Sequence, residues 1–239
     1  MKLKPVKDFL KLILYVDPKI HDELFCSHPY TNSVIVYDGK NFMNLQNEND
    51  LQNFHSYILK RIDEIENVND ILSLVEKSYH FYVLKNIHNN MDSKEIGNFL
   101  QHCLENAENV RDVLTTTELV KLIKKADITT LMDTDELNKL NSLESNIRVY
   151  RGVNSTGVKS KHVHKDAWKS IFWTYDKKVA NFFANRYISE TNKDKNQRII
   201  YETEIPKEYI LCLFGYESQI LLDVSKLKLE NIKINVLED

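Results

Sequence analysis

Residues 146–153 read NIRVYRGV, and the grammar of the chain changes there. Ile147 and Val149 belong to a β-branched run that closes at Gly152, the composition of a strand rather than a helix. A strand ending in glycine lets another backbone or a ligand approach closely. Arg151, just before it, offers a planar fork of donors suited to a phosphate or a carboxylate.

Upstream of this stretch the sequence is helical. VKDFLKLILYV sets Phe9, Leu10, Ile13 and Leu14 at helical spacing. Over residues 49–86, Leu51, Phe54, Ile58, Ile62, Ile65, Ile71, Val75, Tyr79 and Tyr82 recur at three and four residues, which predicts one long helix or two consecutive ones. Asp92 with Glu95 opens a further helix as a capping box. Thr116 or Thr117 caps a stripe of Leu119, Leu122, Ile123 and Ala126, and Asp133 or Thr134 caps the next. One exception interrupts the helices: residues 34–37 followed by Asp38-Gly39 read as a short hairpin.

Downstream, strands dominate. KSIFWTYD predicts a strand handing over to the helix DKKVANFFANRY, with Val179, Phe182, Phe183 and Tyr187 on its apolar face. QRIIYETEI, YILCLF, the stretch GYESQILLD at 215–223 and KLENIKINVLE follow as further strand candidates. In GYESQILLD, strict alternation puts Glu217 and Gln219 on one face. The expected fold class is therefore α+β. A mostly helical region over 1–90 precedes a domain over 91–239, itself a helical lead-in (91–140) and a β-rich core (141–239).

Five glycines and four prolines in 239 residues fit long helices better than a many-turned β protein. A formal charge of -3 leaves no global field that would select nucleic acid or a membrane. Residues 1–140 are acidic on balance and 141–239 mildly basic, with six lysines in 159–178. Cys26, Cys103 and Cys212 are few and far apart, which reads as reduced thiols in a cytoplasmic protein rather than a disulfide framework. The basic N-terminal stretch has its apolar run interrupted by Asp8 and Lys11, unlike a cleaved leader, and no segment has the length of a membrane span.

Several chemistries find no support in the pattern. His162 and His164 form an H-x-H pair with no third ligand nearby, so no metal is expected. His80 reads as an interior helix residue. Phosphate-cradling glycine loops and a nucleophile elbow are absent. The lysines of 159–178, with Trp168, Phe172 and Trp173, read equally as a solvated loop or as a track for phosphates and bases. Arg151, the Thr174/Asp176 handover and the Glu217/Gln219 pair each have a plain structural reading: a surface ion pair, a helix cap and a polar pair on an edge strand.

Taken in order, VYRG, FWTYDKKVANFFA and ESQILLD resemble the arginine–serine–glutamate class of NAD-dependent mono-ADP-ribosyltransferases, in particular the phage- and prophage-borne branch. The resemblance covers about the last 120 residues, since the helical run before VYRG is also similar. It implies a catalytic domain of two small packed sheets with flanking helices, and NAD as substrate with no metal. ADP-ribose would pass to a macromolecular acceptor, protein or RNA, with a regulatory protein such as an antitoxin as a further partner and no membrane partner. Arg151, Thr174, Glu217 and Gln219 would then be catalytic, and Arg151, Gly152, Ser170, Trp173 and Phe183 would line the NAD site.

Two departures stand out. Phe172 stands where relatives have serine, with Ser170 two positions earlier, although Thr174 keeps a hydroxyl. Gln219 stands where the second glutamate of E-x-E belongs, and an amide cannot offset positive charge. Three explanations stay open: Glu217 is the catalytic carboxylate in a shifted register, the protein is naturally weak, or the chain carries a deliberate Glu→Gln change. A degenerate NAD-binding module and an NAD glycohydrolase are the alternatives to a transferase.

Overall fold

The computed structural model describes residues 1–106, 113–156, 162–188, 196–214 and 218–237. The architecture is α+β, in two compact units. One comprises Met1–Thr115 with Lys125–Thr130, the other Thr116–Lys124 with Leu131–Asp239.

The first unit opens with helix α1 (Leu3–Leu14), whose buried residues Val6, Leu10, Ile13 and Leu14 keep the three-and-four spacing of one face. Three short strands follow, β1 (Lys19–Ile20), β2 (Phe25–His28) and β3 (Thr31–Ser33), paired antiparallel in that order. The predicted hairpin is present as β4 (Ile35–Tyr37) and β5 (Phe42–Asn44), and Gly39 supplies the left-handed turn at φ 98°. The stripe over 49–86 divides into α2 (Glu48–Asp63), α3 (Val68–Leu74) and α4 (His80–Ile87). Asn67 causes the first break, because it takes the N–H groups of Asn69 and Asp70 and forms a capping box with Asp70. Helix α5 (Ser93–Asn106) begins at the expected box: Glu95 N–H donates to Asp92 Oδ1 at 2.9 Å and Asp92 N–H to Glu95 Oε2 at 2.9 Å. Phe54, Leu84, Ile96, Phe99 and Leu100 lie in the core of this unit. His80 is buried there too, as its sequence context predicts.

Helices α6 (Thr116–Lys125), α7 (Ile128–Leu131) and α8 (Thr134–Ser142) precede the sheet strands of the second unit in sequence. Asp133 caps α8 in a box with Glu136. The lead-in expected over 91–140 is thus shared, with α5 in the first unit and α8 in the second. The sheet strands are β6 (Asn146–Asn154), β7 (Phe172–Thr174), β8 (Arg198–Pro206), β9 (Ile210–Phe214), β10 (Gln219–Leu222) and β11 (Lys233–Val236), with helix α9 (Lys177–Asn185) after β7.

Instead of the two small packed sheets expected, the described strands form one six-stranded sheet, ordered β11-β8-β6-β7-β10-β9 and antiparallel throughout. The junction at the centre of this sheet is minimal. β6 and β8 run in continuous register from Asn146 opposite Pro206 to Asn154 opposite Arg198, while β6 and β7 meet at the pair Tyr150–Thr174.

Helix α9 corrects a second expectation. Its buried residues are Ala180 and Ala184, whereas Phe182 and Tyr187, read as its apolar face, are exposed. The reason lies in β6. A Cβ on Gly152 would fall 1.7 Å from the Ala180 carbonyl oxygen and 2.8 Å from the Ala184 nitrogen, so the helix backbone rests on the strand and only alanines fit between. Ile200, the register partner of Gly152, completes this contact.

Candidate active site

Cross-strand partners share a face of a sheet. Lys233, Glu202, Tyr150, Thr174, Gln219 and Phe214 therefore form one row across all six strands. Thr174 and Gln219 sit in it side by side, next to Tyr150 at the narrow junction. Tyr150 packs against the α9 contact, and Lys177 Nζ lies 6.0 Å from the centroid of its ring.

Thr174 is buried and makes two bonds. Its hydroxyl donates to the Ser218 carbonyl at 2.9 Å and accepts from the Asp176 N–H at 3.0 Å. The Asp176 carboxylate in turn caps α9 by accepting from the Lys178 N–H at 2.7 Å. One hydroxyl thus ties the start of α9 to the start of β10. Ser218 stands at φ 54°, a left-handed conformation that costs a non-glycine residue about 1 kcal/mol. Strain of this kind collects where the surrounding structure over-determines the backbone, commonly at functional sites.

Of GYESQILLD, the described strand begins at Gln219, directly after Ser218, so the face expected to be shared by Glu217 and Gln219 is not covered by it. Glu217 itself lies outside the described residues.

Arg151 follows Tyr150 on β6, so its side chain leaves the opposite face from Thr174 and Gln219. Its Nε donates to the Ala167 carbonyl at 2.9 Å, and a terminal nitrogen donates to the Phe172 carbonyl. Two donors of the fork are thus committed to the main chain of the segment leading into β7. Its register partner Tyr201 is buried; burial pushes that hydroxyl up and the Arg151 charge opposes the shift.

The remaining expected site residues divide in the same way. Trp173 alternates with Thr174, pairs with Ile220 and is buried, its indole N–H donating to the Ser170 carbonyl at 2.9 Å. Ser170 is buried as well and holds that ring. The space beside Gly152 is filled by α9. Phe183 is half-buried, its ring edge-on to Phe182 with centroids 5.5 Å apart.

Sequence reasoning missed Tyr150 and Ser218. Alternation could have found the first, since Tyr150 shares the Gly152 face. No sequence signal marks Ser218, because left-handed backbone is unusual for serine.

Cys26, Cys103 and Cys212 are buried and unpaired. Among the described residues, no group of three or more His, Cys, Asp or Glu is placed to hold a metal ion. No described helix is long and apolar enough to cross a membrane. Comparison with protein-family models, curated proteins and solved structures found no match to the chain.

Proposed function

We propose that the chain is a mono-ADP-ribosyltransferase acting from NAD on a macromolecular acceptor, with the site at the junction of β6, β7 and β10. The observation that carries this reading is one of placement. Three motifs far apart in the chain, at Arg151, Thr174 and Gln219, fall on three strands adjacent in the sheet, although β8 and β9 intervene in sequence. The reading requires that adjacency.

Loss of nicotinamide from NAD develops positive charge on the ribose, and a fixed carboxylate stabilises it. Gln219 can hydrogen-bond a ribose hydroxyl but supplies no charge, so that role falls to Glu217. Thr174 is a positioning residue: through the Ser218 carbonyl it fixes the point where the chain enters β10. Arg151, with two donors on main-chain carbonyls, positions β7 rather than acting as a simple phosphate clamp.

The same two observations, Gln219 and the engaged Arg151, favour a second reading in which the fold binds NAD without turning it over. Incubation with NAD labelled in its ADP-ribose portion and a whole lysate, followed by separation of protein from nucleic acid, tests the transferase directly. Label on a macromolecule, lost in Glu217→Ala, is the expected result. Free ADP-ribose without a labelled acceptor identifies a glycohydrolase. Binding of NAD with neither product, in this chain and in Gln219→Glu, supports the second reading and ends the first.

A further inference from the structure

The outer side of α9 has features that its role in the fold does not explain. Lys178 and Phe182 stand four residues apart on one exposed stripe, and Phe182 is 55% exposed. The stripe runs into Arg186 and Tyr187, and Tyr187 is 77% exposed. The Arg186 guanidinium sits 4.6 Å from the centroid of the Tyr187 ring, a cation–π stack at the surface.

This arrangement is held in place from beneath. Asn154 Nδ2 donates to the carbonyls of Phe183, Ala184 and Arg186 at 3.0–3.3 Å, and Arg198 donates to Asn185 Oδ1 at 3.1 Å. Tyr187 stands at φ 64° in the turn that ends α9, closed by the Ile188 N–H on the Asn185 carbonyl at 3.3 Å, a position where glycine is the usual residue. A tyrosine at this position projects its ring into solvent.

Charge points the same way. From its cap to the turn after it, α9 carries Lys177, Lys178 and Arg186 against Asp176, in a chain whose formal charge is -3. Lys177 and Lys178 occupy the first turn of α9, where the helix dipole disfavours cations and the Asp176 cap is the one neighbouring carboxylate of the helix start. Lys178 is exposed on the same stripe as Phe182, so its charge faces solvent beside the ring.

We propose that the outer face of α9 and the turn after it bind single-stranded nucleic acid. Unpaired bases stack on Phe182 and Tyr187, while phosphates pair with Lys178 and Arg186. An acidic protein would satisfy the cations but leave the two rings without a purpose. Duplex nucleic acid would do the same, since its bases are already stacked. This inference is independent of the transferase reading, because it uses neither NAD nor any residue of the β6–β7–β10 junction.

The test is fluorescence anisotropy with labelled single strands of about 12 nucleotides, RNA and DNA, against a duplex of the same sequence and polyglutamate. Single strands of either sugar bind, more weakly as salt rises, and outcompete duplex and polyglutamate. Phe182→Ala and Tyr187→Gly each weaken binding about tenfold, and Lys178→Glu flattens the salt dependence. Glycine adopts φ 64° without strain, so a loss in Tyr187→Gly comes from the ring and not from misfolding. Three results overturn the proposal: no binding at low salt, equal affinity for duplex or polyglutamate, or aromatic variants that bind as tightly as the parent.

Discussion

Each unit contains a glycine that admits a close neighbour, and the neighbours differ in kind. In the first unit, a Cβ on Gly97 would meet the Thr130 hydroxyl at 1.8 Å and the Asp127 carbonyl at 3.0 Å. The Thr130 side chain can turn away, leaving a tight but survivable contact. In the second unit, Gly152 faces the main chain of α9, which cannot turn away without leaving the sheet. Side-chain contacts organise the first unit around helical stripes, while a backbone-on-backbone contact sets the geometry of the second. The candidate site lies two residues along β6 from that contact, at Tyr150 and Thr174.

The sharpest way to break this comparison is a matched pair of alanines. Gly152→Ala should destabilise the second unit by about 3 kcal/mol or more, and Gly97→Ala the first by about 1–2 kcal/mol. Hydrogen exchange resolved by segment reads both, and equal effects would remove the distinction drawn between the units.

A smaller effect is expected at Asp223, at the end of β10. Burial acts to raise its carboxyl pKa, but hydrogen bonds from Lys124 and Ser225 outweigh that and hold it below the usual carboxylate range. A depressed carboxyl stabilises the folded state above the ordinary carboxylate pKa of about 4 and loses that contribution as pH falls through the lowered value. Asp223→Asn should therefore cost about 1–2 kcal/mol at pH 7, and the gap from the parent should close below pH 4. Denaturant titrations at several pH values, following the second unit, check both parts.

The smallest effect runs the other way between the units. His28 and His80, both in the first unit, are buried, and burial is the leading cause that lowers their pKa values. The unfolded chain takes up protons on these groups first, so stability falls as pH drops below about 6.5. Glu76, pushed up by its own burial, opposes this, but half-buried His55 is lowered by burial too, so one group stands against three. Between pH 7 and 6 the first unit should lose more exchange protection than the second, which has no buried histidine among its described residues. Equal loss in both would contradict the assignment.

How much of this was legible in the sequence depended on the kind of contact. Helix α1, the Asp38-Gly39 hairpin, the box at Asp92 and a cap at Asp133 or Thr134 were readable, because periodicity and caps are local properties of neighbouring residues. The strands β1–β3 were missed, being two to four residues long with no alternation to detect. The face of α9 was misread because hydrophobicity favours Phe182 and Tyr187, whereas the inner face is chosen by Gly152, a strand residue some 30 positions away. At the candidate site, Thr174 and Gln219 proved to be neighbours. Arg151 pointed elsewhere because side chains alternate along β6, and the left-handed Ser218 left no trace in the residue type.

The central claim is that the β6–β7–β10 junction performs nicotinamide release, and one measurement addresses it most directly. Free nicotinamide is followed from NAD with the parent chain, Gln219→Glu, Thr174→Val and Glu217→Ala. The account predicts a low rate in the parent, an increase of at least about tenfold in Gln219→Glu as a second carboxylate joins the site, a fall in Thr174→Val, and loss in Glu217→Ala. No release from the parent or from Gln219→Glu, with both chains folded and NAD in excess, would contradict it.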